Sequence, residues 1–424
     1  MIAHHPVGTL ALAVADRLAD PGTAPPVLIS QPWWRQSLAH GAPGIALLHI
    51  ELAAAELRPW QRAHDWLVYI TSAPLTSGPD SHLFYGAPAV AHAVTCAATQ
   101  MPGSFGKALD ALDQTITADI RRRVDAAHTR IDAGRLPALA EFDVIRGLTG
   151  LGSYLLRRDP SSKTMRAVLE YLVRLTEPVK EGGETLPGWW TLSGPNGHRA
   201  EHFAGGHANF GMAHGIGGPL SLLALAARRG VTAPGHLKAM LHITQWFDQW
   251  RNDTSAGPRW PYWVNRTQLR AGSLEMGGPQ RQGWCYGAAG LARAQQLAAL
   301  ATGDTQRLNM AGHAFAQAVA DPAQRATTEN PSLCHGYAGM VHLVTHVATG
   351  TYPATTAQLH ALLPALLDDV LPRQAEPRHA MAALLNDEAG PAFLEGASGI
   401  ALAMLTPLTG AAPRTGWDSC LLIV

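Results

Sequence analysis

The apolar residues of this chain recur at helical spacing in several separated stretches. Between Leu109 and Val124, for example, leucine, isoleucine and valine return every three or four positions, and the positions between them are polar or alanine. An α-helix turns once in 3.6 residues, so this spacing collects the apolar side chains on one face. The pattern predicts one-sided amphipathic helices over residues 7–18, 109–124, 165–173 and 359–367.

A glycine motif, GxxG followed by small and apolar residues, recurs along the chain. It occurs at Gly41/Gly44, Gly147/Gly150, Gly215/Gly218, Gly287/Gly290, Gly336/Gly339 and Gly396/Gly399, and a weaker copy keeps Gly86 but has Ala89 in place of the second glycine. The average interval is about 59 residues, enough for two helices and two loops. The segments after the glycines, such as 44–53 and 339–348, are apolar nearly all round, which predicts helices packed on both sides.

The seven repeats predict an all-α fold in which outer amphipathic helices surround inner apolar ones. Closing seven hairpins into an α/α toroid buries the inner helices without an exposed end, and residues 1–424 would form this single domain. Glycine at the start of each inner helix permits a positive φ and a close backbone approach, so the loops can crowd at one end of the ring. An open helical solenoid is the alternative, but it requires polar caps that neither terminus clearly supplies.

Two long stretches rich in proline, glycine and tryptophan interrupt the repeats, at residues 181–210 and 252–283. They immediately precede the motifs that contain His214 and Cys285. Loops of this length in a compact domain usually serve function, so we expect these loops or small insertions to roof one active site. Disordered surface insertions are the alternative, although tryptophan is a poor residue to leave in water.

The composition is that of a globular protein, with 47% hydrophobic and 15% charged residues. Lysine plus arginine and aspartate plus glutamate both number 32, so no net field favours nucleic acid or an anionic membrane. The N-terminus lacks the basic start and apolar run of a signal peptide, and no window approaches the ~20 apolar residues of a membrane span. Four cysteines in 424 residues do not make a disulfide framework. These features predict a soluble, cytoplasmic protein with reduced thiols.

Three of the glycine motifs carry residues suited to metal and thiol chemistry. GWCYG contains Cys285, LCHG contains Cys334 and His335, and AHGIGG contains His214. Two thiolates and an imidazole are ligands that suit Zn²⁺, and three protein ligands leave one coordination position for a reacting group, for which we expect a thiol. An isolated cysteine is more often a small buried hydrophobe. Two cysteines in equivalent motif turns favour a catalytic zinc site.

The chain closely resembles the LanC-like lanthionine synthetases, which are lanthipeptide cyclases. The resemblance is carried by the ordered motifs SLAHGAPGIALL, EFDVIRGLTGLGSYLL, NFGMAHGIGG, GWCYGAAG, SLCHGYAG and FLEGASGIAL, ending in WDSCLLIV. It runs from about Ser37 to the C-terminus, and the second repeat departs from the pattern. The resemblance implies an α/α toroid that binds one Zn²⁺ per chain and joins cysteine thiols to dehydroalanine or dehydrobutyrine in a precursor peptide.

The resemblance also implies the zinc ligands. The family's ligands fall on Cys285, Cys334 and His335. Cys96 and Cys420 lie outside such motifs and are interpreted as ordinary cysteines. Histidines elsewhere, including two on the inner segment after Gly339, lie at helix starts or on helix faces and are interpreted as satisfied polar groups.

Four further residues receive catalytic roles from the resemblance. His214 corresponds to the family's acid/base histidine and Asp143 to its catalytic aspartate. Arg281 corresponds to an arginine that would stabilise an enolate oxygen, and Tyr286 to the tyrosine after the first zinc cysteine. Two alternatives remain open: His214 as a structural histidine, and Asp143 as the cap of its inner helix.

The resemblance implies a dehydrated precursor peptide, leader plus core, as the substrate. No dehydratase region precedes the first repeat, so we expect a stand-alone cyclase whose partners are a separate dehydratase and a membrane exporter, with membrane association through that complex. Thiol alkylation of the kind that prenyltransferases catalyse is one alternative, but their zinc site uses Asp, Cys and His. A second alternative is a zinc-containing protein that binds glutathione or peptide cysteines without catalysis.

Overall fold

The computed structural model describes residues 5–195, 197–198 and 201–424. The chain is mostly helical. The helices are α1 (Pro6–Arg17), α2 (Pro26–Ile29), α3 (Ala42–Ala54), α4 (Trp60–Thr71), α5 (Ala87–Gln100), α6 (Gly106–Asp132), α7 (Leu139–Phe142), α8 (Leu148–Arg158), α9 (Lys163–Arg174) and α10 (Gly217–Arg228). They continue with α11 (His236–Gln249), α12 (Arg266–Ala271), α13 (Ala288–Thr302), α14 (Thr305–Ala320), α15 (Pro322–Arg325), α16 (Tyr337–Thr349), α17 (Pro353–Val370), α18 (Pro377–Asn386) and α19 (Ala397–Thr409).

The helices confirm the two periodic patterns of the sequence. α1, α6, α9 and α17 lie over the four predicted amphipathic stretches. The seven predicted inner helices are α3, α5, α8, α10, α13, α16 and α19, and each begins within two residues of the first glycine of its motif. None of the helices in the described ranges combines the length and apolar content that a membrane span requires.

The internal contacts of the chain distinguish two compact units. Unit 1 comprises the described residues up to Ile116 together with Thr328–Thr349 and Ala357–Asp418. Unit 2 comprises Thr117–Thr327, Gly350–Thr356 and Ser419–Val424.

In unit 1, the inner helices pack closely because their sequences are small and apolar. α3 packs against α4, α5 and α19, while α19 also packs against α1 and α16. Every residue of α3 is buried, as its all-round apolar sequence requires. A Cβ added at Gly44 would lie 2.5 Å from Cβ of Phe393, so only glycine permits this approach of the backbones.

In unit 2, α10 packs against α8 and α13, α13 packs against α14, and α9 packs against α8 and α11. The outer helix α9 buries one apolar face that includes Val168, Leu169 and Leu172. A Cβ added at Gly152 of α8 would lie 2.5 Å from Cδ2 of Leu222 in α10. Small residues therefore bring the inner helices of this unit together as well.

The two long stretches expected to be irregular contain short strands. β1 (Val179–Glu181) pairs with β2 (Glu184–Leu186), and β4 (Asn252–Thr254) pairs with β5 (Gly257–Arg259), both antiparallel. β3 (His207–Asn209) pairs with β6 (Trp263–Asn265), which ties the first stretch to the second through a sheet. Three of their four tryptophans are buried, and Trp263 is half-buried. Trp190 donates from Nε1 to the Gly205 carbonyl at 3.1 Å, and Trp260 donates to the Phe247 carbonyl at 2.9 Å.

The motif glycines serve close approach more often than unusual backbone angles. Gly86 and Gly287 have positive φ, at 77° and 99°, which favours glycine directly. The first glycines of the other copies are not among the described residues with positive φ. At the second position, a Cβ on Gly399 would overlap the carbonyl oxygen of Phe393. Backbone crowding therefore explains most of the glycine repeat.

Candidate functional site

Asp143 and His214, 71 residues apart in sequence, form a hydrogen-bonded pair in unit 2. Asp143 follows the short helix α7, and His214 lies in the turn before α10. Oδ2 of Asp143 lies 2.7 Å from Nδ1 of His214. The Asp143 side chain is 2% exposed and the His214 side chain 21%, so the imidazole is the member of the pair that solvent reaches. A backbone bond from Val144 N to the Ala213 carbonyl, at 3.0 Å, holds the two turns together.

The second oxygen of Asp143 has a different task. Oδ1 accepts hydrogen bonds from the backbone N–H groups of Arg146, at 2.6 Å, and Gly147, at 2.8 Å, at the start of α8. These are donors that a helix start otherwise leaves unsatisfied. The helix-start contact and the contact with His214 therefore coexist on one carboxylate. With Asp143 an ionised acceptor, Nδ1 of His214 carries the proton and Nε2 is the nitrogen available to a substrate.

Cys285 lies at the end of the second long stretch, just before α13. Its carbonyl accepts a hydrogen bond from Met212 N at 2.9 Å, which joins its turn to the one that carries His214. The preceding Trp284 is buried and donates from Nε1 to the carbonyl of Leu421 at 2.8 Å. Within unit 2, the C-terminal segment thus supports the residue next to Cys285.

Cys334 and His335 lie in the equivalent turn before α16, in unit 1. Cys334 N donates to the carbonyl of Leu394 at 2.8 Å, and His335 N donates to Oγ of Ser332 at 3.3 Å. The His335 side chain is 17% exposed, and its Nδ1 lies 3.9 Å from Oε1 of Glu395. It faces a cleft of about 780 Å³ in unit 1, whose wall also includes Trp33, His40, Asn330 and Glu395.

The donor set fits a zinc ion. The candidate metal-ligating side chains of the described chain include Cys285, Cys334 and His335. Neither cysteine forms a disulfide, and 6% and 9% of their surface is exposed. Burial without a compensating cation disfavours a thiolate, whereas a bound Zn²⁺ deprotonates its cysteine ligands. Buried, reduced thiols in two equivalent turns therefore suit this metal.

Tyr286 and Arg281 border the same turn as Cys285. The Tyr286 hydroxyl accepts a hydrogen bond from Nδ2 of Asn209 at 2.9 Å, and its ring centre lies 5.3 Å from that of Tyr262. Tyr262 donates its hydroxyl to the Arg281 carbonyl at 3.1 Å, and burial raises the pKa of Tyr262. Arg281 contributes its carbonyl oxygen to this contact, so the role of its guanidinium stays a prediction.

A second group of potential ligands, His342, His346 and Asp418, lies in unit 1. Nε2 of His342 and Nε2 of His346 lie 3.0 and 2.8 Å from Oδ2 of Asp418. Burial alone would raise the pKa of Asp418, but these hydrogen bonds outweigh it and hold the pKa well below its usual value. Burial lowers the pKa of His342.

We interpret this second group as a hydrogen-bond network. If Nε2 of His342 bound a metal, its proton would move to Nδ1, which is buried and without a partner among the described residues. An orphaned buried N–H is costly, whereas Nε2–H donating to Asp418 leaves only a lone pair unsatisfied. The interpretation of the two histidines after Gly339 as satisfied polar groups agrees with this geometry, and their shared partner lies 76 and 72 residues away in sequence.

Sequence reasoning did not single out Asn209 or Glu395. One signal was present for Glu395: the position just before the first glycine is ionisable in every copy, as His40, Tyr85, Arg146, His214, Tyr286, His335 and Glu395. No local pattern marks Asn209, because its partner Tyr286 lies 77 residues away.

Comparison with known proteins identifies the family. Residues 32–422 match the family described as lanthionine synthetase C-like protein. The chain is 23% identical over 398 residues to the nisin biosynthesis protein NisC of Lactococcus lactis subsp. lactis, across 91% of this chain and 88% of that protein. It also resembles the solved structure of nisin cyclase, with a TM-score of 0.78, 21% identity, and coverage of 98% of this chain and 96% of the other.

The structural likeness confirms the predicted fold class, because nisin cyclase is an α/α toroid. The family match spans most of the chain, which confirms the resemblance inferred from the ordered motifs. The chain therefore belongs to the lanthionine synthetase C-like family and is an enzyme of the lanthionine synthetase type.

Proposed function

We propose that this protein is a zinc-dependent lanthipeptide cyclase that adds precursor cysteine thiols to dehydroalanine or dehydrobutyrine, forming lanthionine or methyllanthionine rings. The observation that carries the proposal is the Asp143–His214 pair, a partly exposed imidazole oriented by a buried carboxylate. Such a pair suits proton transfer to or from a bound substrate. Family membership supplies the reaction class.

The proposed zinc ligands are Cys285, Cys334 and His335, with one ion in this site per chain. When bound, the metal would favour the ionised form of an incoming thiol. A thiol of pKa ≈ 8.5 is only about 3% ionised at pH 7, so full ionisation is worth roughly 30-fold in reactive species. A thiolate of lower pKa is also a weaker nucleophile, so lowering the pKa of the incoming thiol offsets part of this gain. Holding thiol and alkene in contact must contribute more, up to ~7–11 kcal/mol in ideal geometry.

The addition needs a proton balance that His214 would maintain. The thiol loses its proton, a C–S bond forms at the β-carbon, and the resulting enolate must gain a proton at the α-carbon. Nε2 of His214, the unprotonated nitrogen of the pair, would take up the proton that the thiol loses and then deliver it to the α-carbon. Asp143 would hold Nδ1 throughout and stabilise the imidazolium form between the two transfers. The partial exposure of the imidazole and the burial of the carboxylate support a proton-transfer role for His214 and an orienting role for Asp143.

Arg281 and Tyr286 are proposed to stabilise the enolate oxygen. Both lie in the segment that leads into α13, with Tyr286 next to Cys285 in sequence. A guanidinium and a phenol hydroxyl are suitable donors to a developing oxyanion. The stretches 181–210 and 252–283, joined by the β3–β6 pair, are proposed to roof the site in a single toroid domain.

The substrate and partners belong to the same proposal. We infer a dehydrated precursor peptide, with leader and core, as the substrate, and a separate dehydratase and membrane exporter as partners of a stand-alone cytoplasmic cyclase. The similarity to a protein named for nisin biosynthesis, over 88% of that protein, supports a role in a biosynthetic pathway of this kind.

The test is conversion of a dehydrated precursor peptide by purified, zinc-loaded protein. Cyclisation leaves the mass unchanged, so unreacted cysteines are counted by alkylation and mass spectrometry. We expect time-dependent loss of alkylatable thiols with wild-type protein and a much slower loss with His214→Ala. A cognate peptide that binds without losing thiols would instead favour a thiol-binding protein without cyclase activity.

A further inference from the structure

Asn209, the last residue of β3, uses both ends of its side-chain amide. Its side chain is fully buried. Oδ1 accepts a hydrogen bond from Gly211 N at 2.9 Å, and Nδ2 donates to the hydroxyl oxygen of Tyr286 at 2.9 Å. The amide therefore connects the turn that leads to His214 with the tyrosine that follows Cys285.

The direction of these hydrogen bonds follows from the chemistry of the partners. The backbone N–H of Gly211 can only donate, so it fixes Oδ1 of Asn209 as the acceptor. Nδ2, which can only donate, must then face the phenol oxygen of Tyr286. The Tyr286 oxygen accepts this bond, and its own proton points away from Asn209. The hydroxyl is thereby kept as a donor toward another group.

The surrounding backbone holds this arrangement in place. The carbonyl of Asn209 accepts a hydrogen bond from Ile216 N at 2.9 Å, which closes the turn that contains His214. The ring of Tyr286 packs over Gly211, where an added Cβ would lie 2.7 Å from the ring. Asn209 thus contacts both Tyr286 and the His214 turn, which the Met212 N to Cys285 carbonyl bond also holds together.

We propose that Asn209 is a positioning residue that directs the Tyr286 proton toward the substrate oxygen. The inference rests on the proposed function, because it gives Tyr286 the task of donating to the enolate. Asn209 does not contact the reacting atoms in this proposal and acts only through Tyr286.

The test variant is Asn209→Asp, measured alone and combined with Tyr286→Phe. The aspartate retains an oxygen acceptor for Gly211 N–H but presents an acceptor to the phenol, which reverses that hydrogen bond. We expect the kcat for thiol consumption to fall at least about 10-fold with little change in KM, as for a weakened oxyanion donor. In the Tyr286→Phe background, the same substitution should change kcat by less than about twofold, because the group it acts through is absent.

Asn265→Asp is the matched control. Asn265 lies at the far end of the same two-stranded sheet, where its Oδ1 accepts from Gln268 N at 3.0 Å. An aspartate retains that acceptor, so this variant tests the effect of a new carboxylate in the sheet without touching Tyr286. We expect wild-type kcat.

A second readout does not require cyclase activity. With 3-fluorotyrosine incorporated at position 286, the ¹⁹F resonance should move in Asn209→Asp and stay in place in Asn265→Asp. An unchanged resonance in Asn209→Asp would overturn the hydrogen-bond assignment. Equal losses of kcat in the wild-type and Tyr286→Phe backgrounds would overturn the positioning role. If wild-type protein consumes no thiols, the proposed function fails, and the catalytic purpose of Asn209 fails with it.

Discussion

Asp143 and His214 are joined by a 2.7 Å hydrogen bond between Oδ2 and Nδ1, while Oδ1 of the same aspartate accepts the backbone N–H groups at the start of α8. One buried carboxylate thus orients an imidazole and secures a helix. Mutation can separate the two functions. An asparagine at this position would retain an oxygen acceptor for the helix start but would lose the negative charge that faces His214.

Replacing His214 should separate proton transfer from metal retention. His214→Ala should bind as much zinc as wild-type protein, because His214 is not a proposed ligand. Its rate of thiol consumption should fall by about 10²–10⁴, the range for a lost general acid or base. The measurement is alkylation and mass spectrometry, with the exposed His242→Ala as control. Wild-type rates in His214→Ala would remove this residue from the mechanism.

The two oxygens of Asp143 can be tested with two substitutions. Asp143→Asn retains an oxygen acceptor for the N–H groups of Arg146 and Gly147 but loses the charge that supports His214. It should keep near wild-type stability and lose thiol-consuming activity. Asp143→Ala also loses the cap and should cost about a further 1–2 kcal/mol of unfolding free energy, measured in urea. Equal activity of Asp143→Asn and wild-type protein would leave Asp143 with a structural role alone.

The metal prediction concerns stoichiometry. Cys285→Ala, Cys334→Ala and His335→Ala should each lose about one equivalent of zinc by elemental analysis. The buried cysteines at 96 and 420 supply matched controls, so Cys96→Ala and Cys420→Ala should retain it. The helical circular dichroism of all five variants should persist, since the inner helices are held by apolar packing. Full zinc content in the first three variants would refute the site.

The glycine repeat predicts a strong effect of a single methyl group. In Gly399→Ala the new Cβ would overlap the Phe393 carbonyl, so we expect a loss of about 2 kcal/mol or more in unfolding free energy. Gly106→Ala is the control, because an added Cβ at this start of α6 meets nothing within 4 Å. That variant should be neutral or slightly stabilised. Similar urea midpoints for both variants would contradict the close-approach explanation.

The acid limb of the stability curve should depend on His49. This buried imidazole contacts the Leu18 carbonyl through Nε2, and burial lowers its pKa to about 4 from a usual value near 6.5. The unfolded chain therefore binds the proton first as pH falls. The contribution of neutral His49 to the free energy of unfolding is therefore complete above about pH 6.5. It is lost as pH falls toward 4, and the loss is at most about 1.4 kcal/mol per pH unit.

His49→Gln should flatten this acid limb because a glutamine amide does not titrate. The measurement is urea unfolding at pH 7.5, 6.5 and 5.5, comparing each variant with wild-type protein. The control is His64→Gln, which makes the same substitution on the exposed face of α4. A wild-type slope in His49→Gln would show that other groups control the acid limb.

The sequence by itself determined the helices, their repeat and the family. Helical periodicity is a local property, so the amphipathic stretches and the starts of the inner helices follow from spacing alone. The helix α6, which covers the predicted stretch 109–124, and the start of α19 after Gly396 illustrate this. Cys285, Cys334 and His335 were also identifiable as candidate metal ligands. Their residue types and their positions in the glycine motifs are both visible in the sequence.

Only the tertiary structure decided which atoms meet across long separations. It assigned the two oxygens of Asp143 to different partners, connected Asn209 to Tyr286, and paired β3 with β6 across stretches that have no periodic pattern. It also showed that Gly399 is required by the nearby Phe393 carbonyl rather than by a positive φ. Such contacts depend on how helices pack in three dimensions, and that packing leaves no local signature in the chain.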